Sequence, residues 1–427
     1  MMDRLHVSFG FPPSGRVPSY RRVLRTPSVA LLWASQLISQ SGDYVFDVAL
    51  VWFVLRSTGS SVAIASVSIA AFVPWILLSP LIGTLIDETN RRSALLVSNV
   101  LQALVAVGLA YLVLIRTFEL GPILALVVLL NTGGVAVGVT SRAMLAHLCA
   151  KEDLSAANGL FFFSNSANQL LGFSLGGVVV AFAGLALPIE YDALTFVVAA
   201  ALVVSIAPAA GAVGALSSSR RKEGLGRRFL EDLRAGARYV HSDRTLLRML
   251  WMVTFATFVL NGYTVLSVLY VTGVLHQGAL GYGLFLGSMA AGGSLGSLLI
   301  GQIDVRSRVG RSLFLGTGGL GAVTAVLGIA NSLYLGLVLA FVLNACGALV
   351  TVATSSWIEA RVPEKLQARV WGYTGLTRVG APVGAAVVGG LATAFSVPDI
   401  MLGVGLGVLV LVAIVHTWFR DLRAVTY

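Results

Sequence analysis

Charged residues and cysteines are scarce in this chain of 427 residues. Only 11% of the residues are charged, whereas soluble domains carry roughly 25%. This scarcity excludes an ordinary soluble globular protein. The chain has two cysteines, Cys149 and Cys346, which is too few for a disulfide scaffold. We expect both to be free thiols.

Motifs of enzymatic chemistry and of metal binding are missing as well. The five histidines form no H-E-x-x-H pair and no cluster with cysteine, and no G-x-x-x-x-G-K-[ST] loop is present. We therefore expect neither an enzyme nor a metal or other cofactor, and ATP is not the energy source within this chain. The net charge of +10 would suggest nucleic acid in a soluble protein, but membrane topology explains it better here.

Long apolar runs recur along the whole chain. Hydrophobic residues make up 57% of it, and the mean hydropathy is +0.88. A spanning helix needs about 20 apolar residues, and the runs do not alternate with the period of two that a membrane β-barrel requires. They predict an all-α membrane protein with twelve transmembrane helices, near 28–56, 62–86, 93–115, 121–142, 155–184, 189–209, 245–274, 279–303, 311–330, 333–356, 367–395 and 398–419.

Basic residues concentrate in alternate loops between these runs. The tails and the loops after the even-numbered helices hold most of them, and the other loops contain only Arg56 and Arg116. The positive-inside rule therefore places both termini in the cytoplasm. Basic residues are mostly Arg, and Ala, Gly and Val are abundant, which is typical of a GC-rich bacterial genome. We expect a multi-pass protein of the bacterial inner membrane.

One long polar segment, 210–244, divides the runs into two sets of six. Its residues 227–240 form either a basic amphipathic helix on the inner leaflet or an ordinary solvated linker. Paired landmarks recur in the two sets at nearly the same offset, namely Trp33 with Trp251, Asp87 with Asp304, Arg91 with Arg308 and Leu154 with Leu366. The predicted units are a basic tail (1–27), a six-helix half (28–209), the linker (210–244), a second half (245–419) and a tail (420–427). Two parallel repeats with substrate between them form a transporter architecture.

The segment 83–92 joins the second and third predicted helices. Gly83, Asp87, Arg91 and Arg92 match the signature G-x-x-x-D-[RK]-x-G-[RK]-[RK], and the segment resembles that of the major facilitator superfamily. Asn90 stands in place of the signature glycine, and Asn tolerates the left-handed conformation that a tight turn needs.

The resemblance implies a cytoplasmic gate. In the superfamily the aspartate, here Asp87, binds the start of the eleventh helix, which carries Arg369 in this chain. A degenerate copy with Asp304 and Arg308 follows the eighth predicted helix. Alternatively, the arginines of the signature only set the topology.

Shorter motifs are similar to those of the macrolide-efflux and siderophore-exporter branch of drug:proton antiporters. They include Leu32-Trp33, Gly42-Asp43, Arg142-Ala143-Met144-Leu145, Asp192-Ala193-Leu194-Thr195-Phe196 and Arg369-Val370-Trp371-Gly372. The resemblance implies efflux of small molecules. The motifs are too short to assign the relatives' substrates to this chain.

Two carboxylates, Asp43 and Asp47, interrupt the first apolar run four residues apart and thus on one helix face. An ionised Asp at the bilayer centre costs roughly 2.5–3.5 kcal/mol on insertion scales. We interpret Asp43 as the leading proton carrier and Asp47 as its coupled neighbour. Arg378, deep in the eleventh run, pairs with one of them, holds a substrate carboxylate, or forms a purely structural ion pair.

Five amide side chains in the apolar runs are candidates to line a substrate cavity: Gln36, Gln40, Asn131, Asn165 and Asn261. Amides in hydrocarbon need partners, so those on the fifth predicted helix serve either helix packing or a cavity-lining stripe.

These features predict a monomeric secondary transporter that exports a hydrophobic or amphiphilic small molecule, such as a drug, macrolide or secreted metabolite, in exchange for protons across the lipid bilayer. Two alternatives stay open. One is a lysophospholipid or siderophore transporter of the same fold, and the other is a non-transporting membrane sensor or partner protein.

The predicted topology is tested by impermeant thiol reagents. In a variant without Cys149 and Cys346, single cysteines at Ser57 or Ser332 react with reagent added outside intact cells, because their loops are predicted to be external. A cysteine at Ser218 reacts only after permeabilisation. External labelling at Ser218 contradicts the orientation.

Overall fold

The computed structural model describes residues 20–115, 118–150, 152–207, 234, 237–300, 309–363, 366–367, 370, 374 and 378–418, with the backbone alone at positions 80, 84, 87 and 88. Most of the predicted linker 210–244, including most of its possible amphipathic helix, lies outside this range, as do the ends of both tails.

All regular structure in the described part of the chain is helical. The helices are α1 (Tyr20–Arg25), α2 (Pro27–Thr58), α3 (Ser61–Leu77), α4 (Ser79–Glu88), α5 (Arg91–Leu114), α6 (Leu120–Leu148), α7 (Leu154–Ala183), α8 (Ala186–Val204), α9 (Arg244–Gly273), α10 (Ala279–Ile300), α11 (Val309–Ile329), α12 (Leu333–Arg361), α13 (Gly380–Leu391) and α14 (Val397–Trp418).

Ten of these helices are long and apolar enough to cross a membrane: α2, α5 to α12, and α14. The apolar helices α3 and α13 are shorter. The predicted all-α, multi-pass membrane protein is therefore confirmed, whereas the described residues provide ten full-length spans rather than twelve.

The second predicted run, 62–86, is broken into α3 and α4 at Leu78. Pro74 lies within the last turn of α3, and a second proline opens α4. Proline has no backbone N–H and clashes with the preceding turn, so two of them within seven residues interrupt the helix. The Leu78 N–H still donates to the Pro74 carbonyl at 2.8 Å.

The boundary between α2 and α3 is set by local capping. Gly59 ends α2 in the left-handed region (φ 60°), and its N–H donates to the Leu55 carbonyl at 2.8 Å. Glycine takes this conformation without a Cβ clash. Ser60 then caps α3 by accepting from the Ala63 N–H at 3.3 Å.

Helix packing divides the bundle into two groups. Before residue 210, α2 packs against α7 and α8, α5 against α6 and α8, and α3 against α6. After it, α9 packs against α13, α10 against α12, and α11 against α12 and α14. The main contacts between the groups are α7 with α10 and α3 with α13.

Glycines bring α7 and α10 into backbone contact. A Cβ added at Gly177 would lie 2.7 Å from the Gly283 Cα, and one at Gly283 would lie 2.6 Å from the Gly177 Cα. In a bilayer the hydrophobic effect does not drive helices together, so close backbone contact at small residues provides the packing energy instead.

The α3–α13 contact lies at the same end of the bundle as Gly59. The Ser61 hydroxyl donates to the Gly389 carbonyl at 2.8 Å. Nearby, the Trp52 ring of α2 stacks on Tyr282 of α10, with ring centroids 6.3 Å apart and an interplanar angle of 26°. We call this set of contacts between the groups the Gly59-end closure.

Filling the α7–α10 contact destabilises the fold. Gly177→Val forces its side chain into the α10 backbone, and overpacking of this kind costs about 1–3 kcal/mol. We expect a lower melting temperature for the purified protein. The control is Gly407→Val on α14, where an added Cβ meets no atom within 4 Å. Equal melting temperatures of the two variants contradict the close contact.

Candidate functional site

A cavity of about 660 Å³ opens among α2, α3, α5, α6 and α7. Amide and acid side chains lie beside aromatic side chains in its lining, although the helices that form it are mostly apolar. Its lining includes Gln36, Gln40, Asp43, Tyr44, Asp47, Trp75, Gln102, Asn131, Ser141, Arg142, Phe161, Phe162 and Asn165. We call it the acidic cavity.

The polar face of α2 supplies the acids. Gln36, Gln40, Asp43 and Asp47 recur at helical spacing and so share one side of the helix. Asp43 is half-buried and Asp47 is exposed to the cavity. Arg142 of α6 lines the same cavity, but no described basic side chain forms an ion pair with either carboxylate. The acids are therefore available to bind a proton or a cationic group.

Helix α7 holds this face of α2 through hydrogen bonds. The Asn165 Nδ2 donates to Gln40 Oε1 at 3.2 Å, and the Tyr44 hydroxyl donates to Asn165 Oδ1 at 3.3 Å. The Asn168 Nδ2 donates to the Leu37 carbonyl at 2.8 Å. Asn165 thus joins two helices and lines the cavity, so both interpretations of the α7 amides apply to it.

Several buried polar atoms of the acidic cavity have no hydrogen-bond partner. They are Gln36 Nε2, Gln102 Oε1 and Ser141 Oγ. Asn131 also lines the cavity, but its Nδ2 donates within its own helix to the Val127 carbonyl at 3.0 Å. Buried polar groups normally find partners, so the unpaired donor and acceptors suit ordered water or the polar groups of a ligand.

Arg378 and Asn261 line a different cavity of about 630 Å³, which α9 and α12 help to form. Trp75 borders both cavities. Arg378 is exposed and forms no ion pair with Asp43 or Asp47 in this structure. Arg378 therefore lies in a different cavity from Asp43 and Asp47 in this structure. An ion pair of Arg378 with either acid in another conformation stays a prediction.

The arginines of the 83–92 signature bind backbone carbonyls of neighbouring helices. The Arg91 Nη1 donates to the Ala143 carbonyl of α6 at 3.4 Å. The Arg92 Nε donates to the Val203 carbonyl of α8 at 3.3 Å, and its Nη2 donates to the carbonyl of Val204, the last residue of that helix. Cations at helix C-termini are favourable because of the helix dipole.

The turn before α5 differs from expectation. Asn90 is extended (φ −70°, ψ 114°), not left-handed, and its Oδ1 accepts from the Arg92 N–H at 3.0 Å and the Ser93 N–H at 3.4 Å. An N-cap residue adopts this extended conformation, which removes the need for a left-handed one. Gly83 lies in α4, near Val139.

The remaining gate residues lie outside the described part of the structure. These are the side chain of Asp87 together with Asp304, Arg308 and Arg369. Their gating role stays a prediction.

Sequence reasoning missed Asp192 as a site residue. It lies on α8, is fully buried, and neither carboxylate oxygen has a hydrogen-bond partner. A Cβ added at Gly42 would lie 2.6 Å from Asp192 Oδ1, so this acid sits directly against the segment of α2 that carries Asp43. The signal was present, because an acid inside an apolar run was the criterion that singled out Asp43.

The relatives found by comparison with known proteins are membrane transport proteins. A family model described as "Transmembrane secretion effector" matches residues 21–425. The multidrug efflux pump Tap of Mycobacterium tuberculosis is 27% identical, over 87% of this chain and 88% of Tap. Macrolide efflux protein A of Streptococcus pyogenes is 22% identical, over 63% of this chain and 65% of that protein.

Solved structures show the same fold at low sequence identity. The nucleoside transporter NupG superimposes with a TM-score of 0.73 and 10% identity, covering 92% of this chain and 98% of NupG. A POT family transporter in complex with 5-aminolevulinic acid gives a TM-score of 0.72 with 14% identity, covering 92% of this chain and 96% of the transporter. The fold is that of major-facilitator-like transporters.

The bond between Tyr44 and Asn165 is measurable by a double-mutant cycle. We expect Tyr44→Phe and Asn165→Ala to show a coupling free energy of about 0.6–1.7 kcal/mol in unfolding from detergent micelles, the range found for hydrogen bonds between membrane helices. The control pairs Tyr44→Phe with Asn131→Ala, since Asn131 bonds only within α6. Equal coupling in both cycles contradicts a specific bond between Tyr44 and Asn165.

Proposed function

The chain belongs to the transmembrane secretion effector family of transporters, and on this premise we propose that it is a proton-coupled exporter of hydrophobic or amphiphilic small molecules. It works as a monomer by alternating access. The observation that carries the proposal is the position of Asp43 and Asp47 on a cavity wall without a basic partner among the described residues.

The lining of the acidic cavity supports an amphiphilic substrate. Tyr44, Trp75, Phe161 and Phe162 offer flat apolar surface beside amide and acid side chains. Ligand sites commonly combine mostly apolar walls with a few polar groups that orient the ligand. Two relatives are efflux pumps by name, one for multiple drugs and one for macrolides, which favours outward transport.

The pattern of contacts supports two six-helix halves in a twelve-helix transporter. In this assignment α3 and α13 are the second and eleventh helices, and the linker is 210–244. The cross-group contacts then pair the fifth helix with the eighth and the second with the eleventh, as a parallel repeat requires.

The predicted topology indicates on which side of the membrane the Gly59-end closure lies. If both termini are cytoplasmic in a bacterial inner membrane, as the loop charges predict, Gly59 lies at the outer surface. The halves then touch at the outer end, and the acidic cavity takes up substrate from the cytoplasm or the inner leaflet. This is the inward-facing stage of an export cycle.

Proton coupling follows from competition for one site. A carboxylate among membrane helices, away from bulk water, is most stable either as a neutral acid or beside a bound cation. Protons entering from outside and substrate entering from inside then favour opposite conformations, which is the differential binding that exchange requires.

The test is transport by proteoliposomes with an imposed pH gradient, using ethidium and a macrolide as probes. We expect Asp43→Asn to abolish gradient-driven uphill transport and to leave downhill exchange measurable, because Asn keeps the shape of Asp but cannot release a proton. Asp47→Asn has a milder effect, since one carboxylate can still titrate.

The matched control is Asp399→Asn, which removes an exposed carboxylate at the start of α14. It leaves both activities near the wild-type level. Uphill pumping by Asp43→Asn at the wild-type rate contradicts the proposed role of Asp43. Wild-type protein that moves neither probe under any gradient contradicts the proposed function itself.

A further inference from the structure

Asp192 occupies an unusual position for an acid. Its relative exposure is 0%, and both Oδ1 and Oδ2 lack a hydrogen-bond partner. It is not among the residues that line the acidic cavity. A carboxylate kept for structure alone is normally hydrogen-bonded or ion-paired, and Asp192 has neither kind of partner among the described residues.

Helices α2 and α8 are in close contact at this acid. A Cβ added at Gly42 would lie 2.2 Å from Thr195 Oγ1, 2.6 Å from Asp192 Oδ1 and 3.0 Å from Asp192 Cα. Only glycine fits at position 42 without moving α8. The absent side chain therefore gives the Asp192 carboxylate direct access to the backbone beside Asp43.

Other hydrogen-bonding groups at this contact have partners elsewhere. The Thr195 hydroxyl donates to the backbone carbonyl of Asp192 at 2.7 Å, and the Ser41 and Tyr191 hydroxyls bond each other at 2.9 Å. None of these bonds uses the Asp192 carboxylate. An ionised carboxylate without partners in an apolar setting is far more costly than a neutral acid, so this position favours the protonated form of an acid.

The helices packed against Asp192 carry charged residues of both signs. From α2 they are Asp43 and Asp47, together with Tyr44 and, at the far end, Arg56. From α5 they are Arg91, Arg92 and Tyr111, and α7 has no charged or titratable residue. On α8 itself, Glu190 and Tyr191 precede it. Arg91 and Arg92 donate to backbone carbonyls of α6 and α8 instead.

We propose that Asp192 is a proton-binding residue of the transport cycle that shares a proton with Asp43 across Gly42. No hydrogen bond joins the Asp192 carboxyl group to Asp43 in this structure, so the transfer belongs to a conformation that brings the two groups into contact. There the O–H bond of the Asp43 acid breaks as the O–H bond of the Asp192 acid forms, and the charge of the pair does not change. Asp43 exchanges protons with the cavity, and Asp192 stores one out of reach of substrate. This inference rests on the proposed function.

A proton held on Asp192 would be protected from displacement by substrate. A substrate cation in the acidic cavity can displace the proton of Asp43, but it cannot reach Asp192 behind α2. The pair therefore keeps one proton when substrate binds and releases the other. This arrangement prevents both carboxylates from ionising together in the same apolar contact, which like charges strongly disfavour.

The first test is infrared spectroscopy of the full-length protein in lipid nanodiscs over a range of pH. We expect carbonyl stretches of protonated carboxyl groups in the wild type, the loss of the Asp192 contribution in Asp192→Asn and its retention in the control Asp399→Asn. In Asp43→Asn the band persists and its titration midpoint moves, because the partner that shares the proton is gone.

Two results of this test overturn the proposal. One is a spectrum of Asp192→Asn that matches the wild type at every pH, and the other is a midpoint that Asp43→Asn leaves in place. The second comparison does not alter residue 192, so it decides the question even where Asp192→Asn fails to fold.

The second test separates coupling from packing in proteoliposomes with ethidium as probe. We expect Asp192→Asn to lower the ethidium gradient built by a pH gradient by about 5-fold or more, a usual size for coupling between sites, with downhill exchange near the wild-type rate. An unchanged ratio of pumping to exchange overturns the proposal. Failure of the wild type to pump instead overturns the proposed function, whereas the infrared comparison needs no transport.

Discussion

The cost of placing carboxylates where water is scarce governs the arrangement of the first group of helices. Three acids, Asp43, Asp47 and Asp192, gather around one stretch of α2, and the described residues supply no basic partner for them. Helices α6 and α7 leave the acidic cavity open beside Asp43 and Asp47. Helix α8 instead buries Asp192 completely in its close contact with α2 at Gly42.

The two kinds of helix contact have different consequences for motion. Within the first group, α7 holds α2 by side-chain hydrogen bonds such as those of Asn165 and Asn168. Between the groups, α7 meets α10 through the bare backbones of Gly177 and Gly283. Directional bonds between specific atoms fix one register. No side-chain hydrogen bond is described between α7 and α10, so their contact depends on close backbone packing alone, whereas the Ser61 bond to Gly389 fixes the α3–α13 contact.

Much of the fold was predictable because the length and hydropathy of a segment are enough to identify a membrane helix. The limits of α2, α5 and α9 fall within two residues of the predicted runs. The break at Leu78 was not foreseen, since hydropathy is blind to missing backbone hydrogen bonds, although Pro74 and the proline that opens α4 were visible in the sequence. Asn90 was misjudged because a helix cap and a left-handed turn favour the same residue type.

The candidate site was predictable in part. Gln36, Gln40, Asn131 and Asn165 lie in the same cavity as Asp43 and Asp47, since polar residues in an apolar helix turn away from lipid. Asn261 and Arg378 line another cavity, and no sequence pattern tells which polar residues of different helices share a space. Asp192 was not predicted as a site residue, because its contact with Gly42 depends on how two helices that are distant in the sequence pack together.

The interruption at Leu78 divides the second predicted membrane crossing into two shorter helices. The first, α3, is tied to α13 at the Gly59 end, whereas the second, α4, packs on α6 and carries the chain into α5. A straight helix would convert any tilt at one end into an equal and opposite swing at the other. A helix with a proline-induced break can bend there, so α4 can follow α6 while α3 keeps its contact with α13.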